Sequence, residues 1–116
     1  MKNKNIIIIV SLLIVVGIGY WIYSYQTTPG EYDEFAKCLT ENEVVMYGTD
    51  WCEYCQKQKS TFGKSFKYVN YVNCDLNKKE CLSNSVEGYP TWKINNKTYP
   101  GVKPLEQLSV LSGCDF

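Results

Sequence analysis

The chain has 116 residues, 12 basic and 12 acidic side chains and no His. That length holds one small domain with short extras, and a formal net charge of zero argues against a nucleic-acid partner. Six Cys in so short a chain, an even number with paired-looking spacings, point to an oxidising compartment.

Residues 1–5 form a short basic stub carrying Lys2 and Lys4. Residues 6–23 (IIIIVSLLIVVGIGYWIY) then run for about 18 positions without a charge, enough to span a bilayer as a helix. Tyr20, Trp21, Tyr23 and Tyr25 cluster at the far end, as an interfacial aromatic belt does. The preceding lysines predict a cytoplasmic N-terminus and place the remainder outside, in a periplasm, a lumen or the cell exterior, where disulfides form. A cleaved signal peptide is the rival reading. An uncleaved anchor is preferred because the apolar stretch is long and no small-x-small cleavage site follows the bulky aromatics. A buried core helix fits poorly, since the stretch is apolar all round and the remaining domain is too small to wrap it.

Residues 24–30 are polar, end in Pro29-Gly30 and read as a tether; residues 31–116 form the folded domain. Residues 31–39 (EYDEFAKCL) are acidic at their start and set Phe35, Cys38 and Leu39 on one stripe, the pattern of an amphipathic helix. Residues 44–47 (VVMY) read as a buried strand. Gly48-Thr49-Asp50 turns out of it into Trp51-Cys52-Glu53-Tyr54-Cys55, and a helix follows. Two thiols three apart at the first turn of a helix can close a small disulfide ring. The first one sits where unpaired backbone N–H groups and the helix dipole favour a thiolate, the attacking species in disulfide exchange. The strand–CxxC–helix context favours a reversible redox dithiol over a structural disulfide or half of a zinc site, whose other ligands here would have to be Cys or carboxylate.

Further along, residues 68–74 (YVNYVNC) are rich in β-formers and read as the second strand. Residues 78–86 read as a short helix carrying Cys81. Pro90 stands just before a strand-like run, Asn95-Asn96 marks a turn, and Lys97-Thr98-Tyr99 returns as a hairpin partner. Leu105, Leu108 and Leu111, with Val110, make the apolar face of a closing helix that Gly113 stops.

The order helix, strand, CxxC-helix, strand, helix, Pro-strand, strand, helix resembles the thioredoxin fold, an α/β fold with a central mixed sheet flanked by helices. Two motifs carry the resemblance: Trp51-Cys52-Glu53-Tyr54-Cys55 and Tyr89-Pro90-Thr91. It implies that Pro90 is cis and faces the dithiol, and that Tyr89 offers its backbone to a bound substrate strand. Phe35-Ala36-Lys37-Cys38-Leu39, Met46-Tyr47-Gly48, Cys55-Gln56-Lys57-Gln58-Lys59, Gly88-Tyr89-Pro90-Thr91-Trp92 and Tyr99-Pro100-Gly101-Val102 narrow the likeness. They are similar to the thioredoxin-like domain that accompanies bacterial and plant vitamin K epoxide reductase homologues. There the domain is the soluble redox partner of a quinone-linked membrane oxidase; with only one anchor in this sequence, such an oxidase is expected to be a separate chain. Two departures stand out. Related oxidants often carry Pro-His between the cysteines, where this chain has Glu53-Tyr54, so a milder oxidant is expected. Many thioredoxins place a buried Asp six residues before the first Cys to carry the proton of the second; here that position is Met46.

These readings assign Cys52 as an exposed nucleophile and Cys55 as the buried resolving thiol. Trp51, Tyr89 and Pro90 frame the dithiol as a docking surface for protein dithiols and disulfides. Cys74 and Cys81, at a strand end and in a nearby helix, are expected to bridge, as are Cys38 and Cys114 on the first and last helices. The redox-active Cys52–Cys55 pair needs no further cofactor, and no metal site is assigned. The alternative is a non-catalytic binding module or a Cu(I)–thiol carrier, against which stands the lack of any Met-rich or His-bearing stretch.

Overall fold

The computed structural model describes residues 1–116. Helix α1 (Lys2–Thr27) is long and apolar enough to cross a membrane, and none of its residues is buried against the rest of the chain. At 1.5 Å per residue it is about 39 Å long. It runs past the uncharged stretch at both ends, so residues 24–27, read from the sequence as tether, are helical. Pro29 and Gly30 follow directly. Lys64 ties the end of α1 to the domain, its Nζ donating to the Tyr25 carbonyl at 2.5 Å and lying 3.7 Å from the Tyr25 ring centroid.

The domain is a four-stranded sheet in the order β2-β1-β3-β4. Strand β1 (Val45–Gly48) pairs in parallel with β2 (Asn70–Asn73) and antiparallel with β3 (Thr91–Ile94), which pairs antiparallel with β4 (Lys97–Pro100). Parallel neighbours need a crossover, and α3 (Glu53–Phe62) with a 3-10 segment (Gly63–Tyr68) supplies it between β1 and β2. Antiparallel β3 and β4 are joined by Asn95 and Asn96 alone. Both have positive φ, 52° and 63°, the conformation a two-residue hairpin turn demands and Asn tolerates.

As the central strand, β1 is buried on both faces, and its alternating side chains enter two cores. Met46 joins the larger cluster with Phe35, Leu39, Phe62, Trp92 and Leu108. Tyr47 faces the smaller one with Cys74 and Cys81. Phe62 links the layers, its ring 6.1 Å from Phe35 on α2 (Asp33–Glu41) and 6.1 Å from Trp92 on β3.

Some boundaries differ from the sequence reading. The second strand begins at Asn70, because the aromatic residues before it belong to the 3-10 segment that follows the positive-φ Gly63. Helix α4 is only Lys78–Ser83. Helix α5 (Leu105–Ser112) buries Leu105 and Leu108 against the sheet, but Val110 is 83% exposed, a half-turn from that face. Gly113, at φ 77°, ends α5 in the left-handed conformation that a β-carbon would penalise. Cys38 and Cys114 are bonded across α2 and the chain end, and Cys74 and Cys81 across the end of β2 and α4.

Candidate active site

Cys52 is the N-cap of α3. In that position its side chain folds back over the first turn, and the Cys55 N–H donates to its sulfur at 3.2 Å. The Cys52 thiol in turn donates to the Tyr89 carbonyl at 3.7 Å. Cys52 is therefore only 6% exposed, where the sequence predicted an open thiol. The helix turn closes one side of the sulfur and the Tyr89 loop the other. Cys55, one turn in, is fully buried, and neither cysteine is bonded to another.

The loop opposite is built from β3. The Tyr89–Pro90 bond is cis, the Pro90 side chain is buried, and the loop turns the Tyr89 carbonyl to Cys52. Trp51 is 69% exposed. Its indole N–H donates to Asp75 Oδ2 at 2.7 Å, and its ring stands edge-on to Tyr89 with centroids 6.2 Å apart. A shallow, mostly apolar hollow lined by Cys74, Cys81, Leu82, Val86 and Tyr89, together with Asp75 and Lys78, adjoins this pair. The structure thus brings Trp51, Cys52, Cys55, Tyr89 and Pro90 to one edge. Cys74 and Cys81 lie beside it, and Cys38 and Cys114 lie in the main core cluster and its margin.

A dithiol capping the helix after the central strand, faced by a prolyl loop entering an antiparallel neighbour, completes the pattern begun by the strand order. The domain has the thioredoxin fold. No protein-family model matches the chain. It is 39% identical over 87 residues to the thiol-disulfide oxidoreductase LTO1 of Arabidopsis thaliana, covering 67% of this chain and 23% of that one. It is 35% identical over 77 residues to the protein disulfide-isomerase MPD1 of Saccharomyces cerevisiae, covering 60% and 24%. The chain thus spans about a quarter of the length of these curated relatives. Among solved structures, a Fasciola hepatica thioredoxin superposes with a TM-score of 0.45 at 18% identity, covering 68% of this chain and 89% of that one. A Methanosarcina mazei glutaredoxin does so with 0.43 at 28%, covering 58% and 74%.

Within this thioredoxin fold the second thiol of the pair is held protonated by its surroundings. Burial pushes the Cys55 thiol from 9.0 up to about 12, helped by the Cys52 sulfur; a hydrogen bond from the Thr49 backbone and the Lys59 charge pull the other way. Gly48 makes room for that sulfur: a Cβ there would stand 2.8 Å from Cys55 Sγ. A stability effect follows. Folded Cys55 keeps its proton to a higher pH than the unfolded chain does, so above 9.0 unfolding releases a proton and is favoured. The dithiol protein should lose stability progressively as pH climbs from 9.0 towards about 12. Denaturant midpoints for the dithiol, disulfide and Cys55→Ala forms across that range check it; equal losses in all three would remove Cys55 as the cause.

Three groups escaped the sequence reading. Gln58 sits in a polar run yet is fully buried; its place three after Cys55 and four before Phe62 was the available signal. Asp50, Lys59 and Tyr71 meet one another from a loop, a helix and a strand, a meeting no local pattern announces. Asp75 holds Trp51 from beyond β2. No group of three or more Cys, Asp or Glu side chains is arranged to hold a metal ion.

Proposed function

We propose that the chain is a membrane-anchored thiol–disulfide oxidoreductase that exchanges disulfides with protein substrates outside the cytoplasm. The observation that carries this reading is the Cys52 sulfur capping α3, with the Cys55 N–H aimed at it and the Tyr89 carbonyl opposite. That N–H, at the N-terminus of a helix, stabilises negative charge on sulfur. A substrate strand laid along the Tyr89–Pro90 loop would bring its own sulfur to the same place.

In the reducing direction, the Cys52 thiolate attacks a substrate disulfide. A Cys52–substrate S–S bond forms, the substrate S–S bond breaks and one substrate thiolate leaves. Cys55 then loses its proton and attacks the Cys52 sulfur, releasing the second substrate thiolate and leaving the domain oxidised by two electrons. Oxidation of a substrate dithiol is the reverse. Trp51 and Tyr89 supply the apolar rim and Pro90 holds the loop in place.

Residues 1–5 are assigned to the cytoplasm, 6–23 to the membrane, 24–30 to the connection and 31–116 to the outer side. The apolar α1, the basic stub before it and the two disulfides beyond it support that division. Net oxidation, with electrons passed to a separate quinone-linked membrane oxidase, is the partner assignment. It rests on the motif resemblance to vitamin K epoxide reductase-associated domains and on likeness to a plant thiol-disulfide oxidoreductase.

The test uses the full chain in detergent micelles with reduced, unfolded substrate protein. The oxidised wild type should introduce disulfides. Cys55→Ala, loaded on Cys52 with a small thiol as a mixed disulfide, should accumulate a Cys52–substrate adduct visible on a non-reducing gel. Cys52→Ala should form none. No transfer by the wild type together with no adduct in Cys55→Ala would end the proposal.

A further inference from the structure

The end of α1 is built into the domain. Asp33 accepts from the Gly30 N–H at 3.1 Å through one carboxylate oxygen and from the Ser65 hydroxyl at 2.8 Å through the other; that hydroxyl in turn accepts from the Tyr32 N–H at 2.9 Å. Lys64, beside Ser65, reaches the Tyr25 carbonyl and ring. The chain after α1 and the C-terminal end of α3 line one cleft. The joint therefore sits at the C-terminal end of α3, whereas Cys52 caps its N-terminus, and the 10 residues of α3, about 15 Å of helix, separate the two. The molecule is 70 Å long, of which α1 makes up about 39 Å, so the helix projects from the domain instead of lying along it.

Depth follows from length. Residues 6–23 make about 27 Å of helix, close to the roughly 30 Å of a hydrocarbon core. Tyr25 then falls among the headgroups, stacked on Trp21 with centroids 6.1 Å apart, and Lys64 is brought to the same level. Lys67 follows Lys64 by one turn of the 3-10 segment, so the two share a side, and it lines a second cleft with Thr27 at the end of α1. Neither lysine pairs with a carboxylate. Of the acids nearby, Asp33 is taken up by Gly30 and Ser65 and Glu34 pairs with Lys37 at 3.6 Å, which leaves Glu31 beside two free lysines.

We propose that the face bearing Lys64 and Lys67 seats on the phosphate headgroups of the bilayer that α1 spans, and that this pose turns Cys52 and Cys55 toward the aqueous phase. The seating rests on the reading of α1 as an anchor. Anionic headgroups attract lysines near the surface, but the attraction fades over a Debye length of about 8 Å at physiological salt, short of the length of α3. Only lysines at the joint take part. Lys57, two residues after Cys55, and Lys78 and Lys79, at the start of α4 beside the hollow next to Tyr89, are exposed at the dithiol end. The substrates served in this pose are proteins that reach the dithiol from solution, and a membrane-embedded partner has to raise its own sulfurs above the headgroups.

The experiment reconstitutes the full chain in bilayer discs of phosphatidylcholine and phosphatidylglycerol and, separately, in neutral detergent micelles. Lysines are acylated with an amine-reactive ester and followed by mass spectrometry over time. Lys67 should react about fivefold more slowly in the discs, while Lys57, Lys78 and Lys79 should keep their micelle rates. Lys64→Gln should remove most of the protection at Lys67, because the domain loses its hold on Tyr25; Lys64→Arg should keep it. Equal Lys67 rates in discs and micelles overturn the inference, as does equal slowing at Lys78 and Lys79 or full protection of Lys67 in Lys64→Gln. A chain that does not copurify with the discs would instead overturn the reading of α1 as an anchor.

Discussion

Replacing Cys38 and Cys114 together by Ala should lower the stability of the folded domain by about 4 kcal/mol. The bond joins positions 76 apart in the chain, from α2 to the residue after α5 and its Gly113 cap. It therefore closes a large loop in the unfolded chain and removes more of its freedom than a short bridge does. The second disulfide spans only 7 positions, and its loss should remove about 2.5 kcal/mol on the same reasoning. The sites differ in packing as well. Cys114 is fully buried in the main cluster, and Asn42 Nδ2 donates to its sulfur at 3.3 Å and to the Ser112 carbonyl at 3.1 Å, so the chain end is fastened twice. Denaturant unfolding of the full chain in micelles, followed by tryptophan fluorescence without reductant, gives both values. If the short bridge proved the more stabilising, chain entropy would not be its main contribution.

Gln58→Leu should cost about 3 kcal/mol although it replaces a polar core residue by an apolar one of similar size. The Gln58 carbonyl accepts from Trp92 Nε1 at 3.0 Å and from the Lys103 N–H at 2.7 Å, while its amide donates to the Lys103 carbonyl at 2.9 Å. Leucine leaves all of these unpaired, and the buried indole has nowhere to turn. The damage should reach the site. Gln58 lies one turn beyond Cys55, and Trp92 follows Pro90 by two residues, so this amide fastens the dithiol helix to the strand bearing the opposing loop. A double-mutant cycle checks the mechanism. With Trp92→Phe already in place the indole donor is gone, and Gln58→Leu should then cost about 1 kcal/mol less. Strict additivity would mean the two side chains are not coupled.

Much of this protein was legible from local pattern. The uncharged run of residues 6–23 reads as one apolar helix long enough to cross a membrane, and it forms the middle of α1. The stripe carrying Phe35, Cys38 and Leu39, of which the structure buries Phe35 and Leu39 together with Ala36, the Asn95-Asn96 turn and the Gly113 stop are decided by helical periodicity and by φ, properties that neighbours in sequence settle among themselves. The CxxC at the end of a buried strand belongs to the same class: a strand, a turn and a helix N-terminus are enough to place two sulfurs on one turn.

Other features depended on what the chain packs against. Cys52 is covered because a loop 37 residues away lays the Tyr89 carbonyl against it. Val110 and Gln58 exchange the roles their side chains advertise, since burial follows from which helix face meets the sheet and not from hydropathy alone. Tyr68 and Val69, read from the sequence as the start of a strand, instead end and cap the 3-10 segment Gly63–Tyr68, in which Phe66 is turned onto Phe62. Asp50, Lys59 and Tyr71 had no meaning apart until a loop, a helix and a strand brought them together. Sequence alone determined which elements form and where the sulfurs stand along the chain. Only the tertiary structure decided which surfaces close over those sulfurs, because burial and long-range hydrogen bonds are made between segments that share no local pattern.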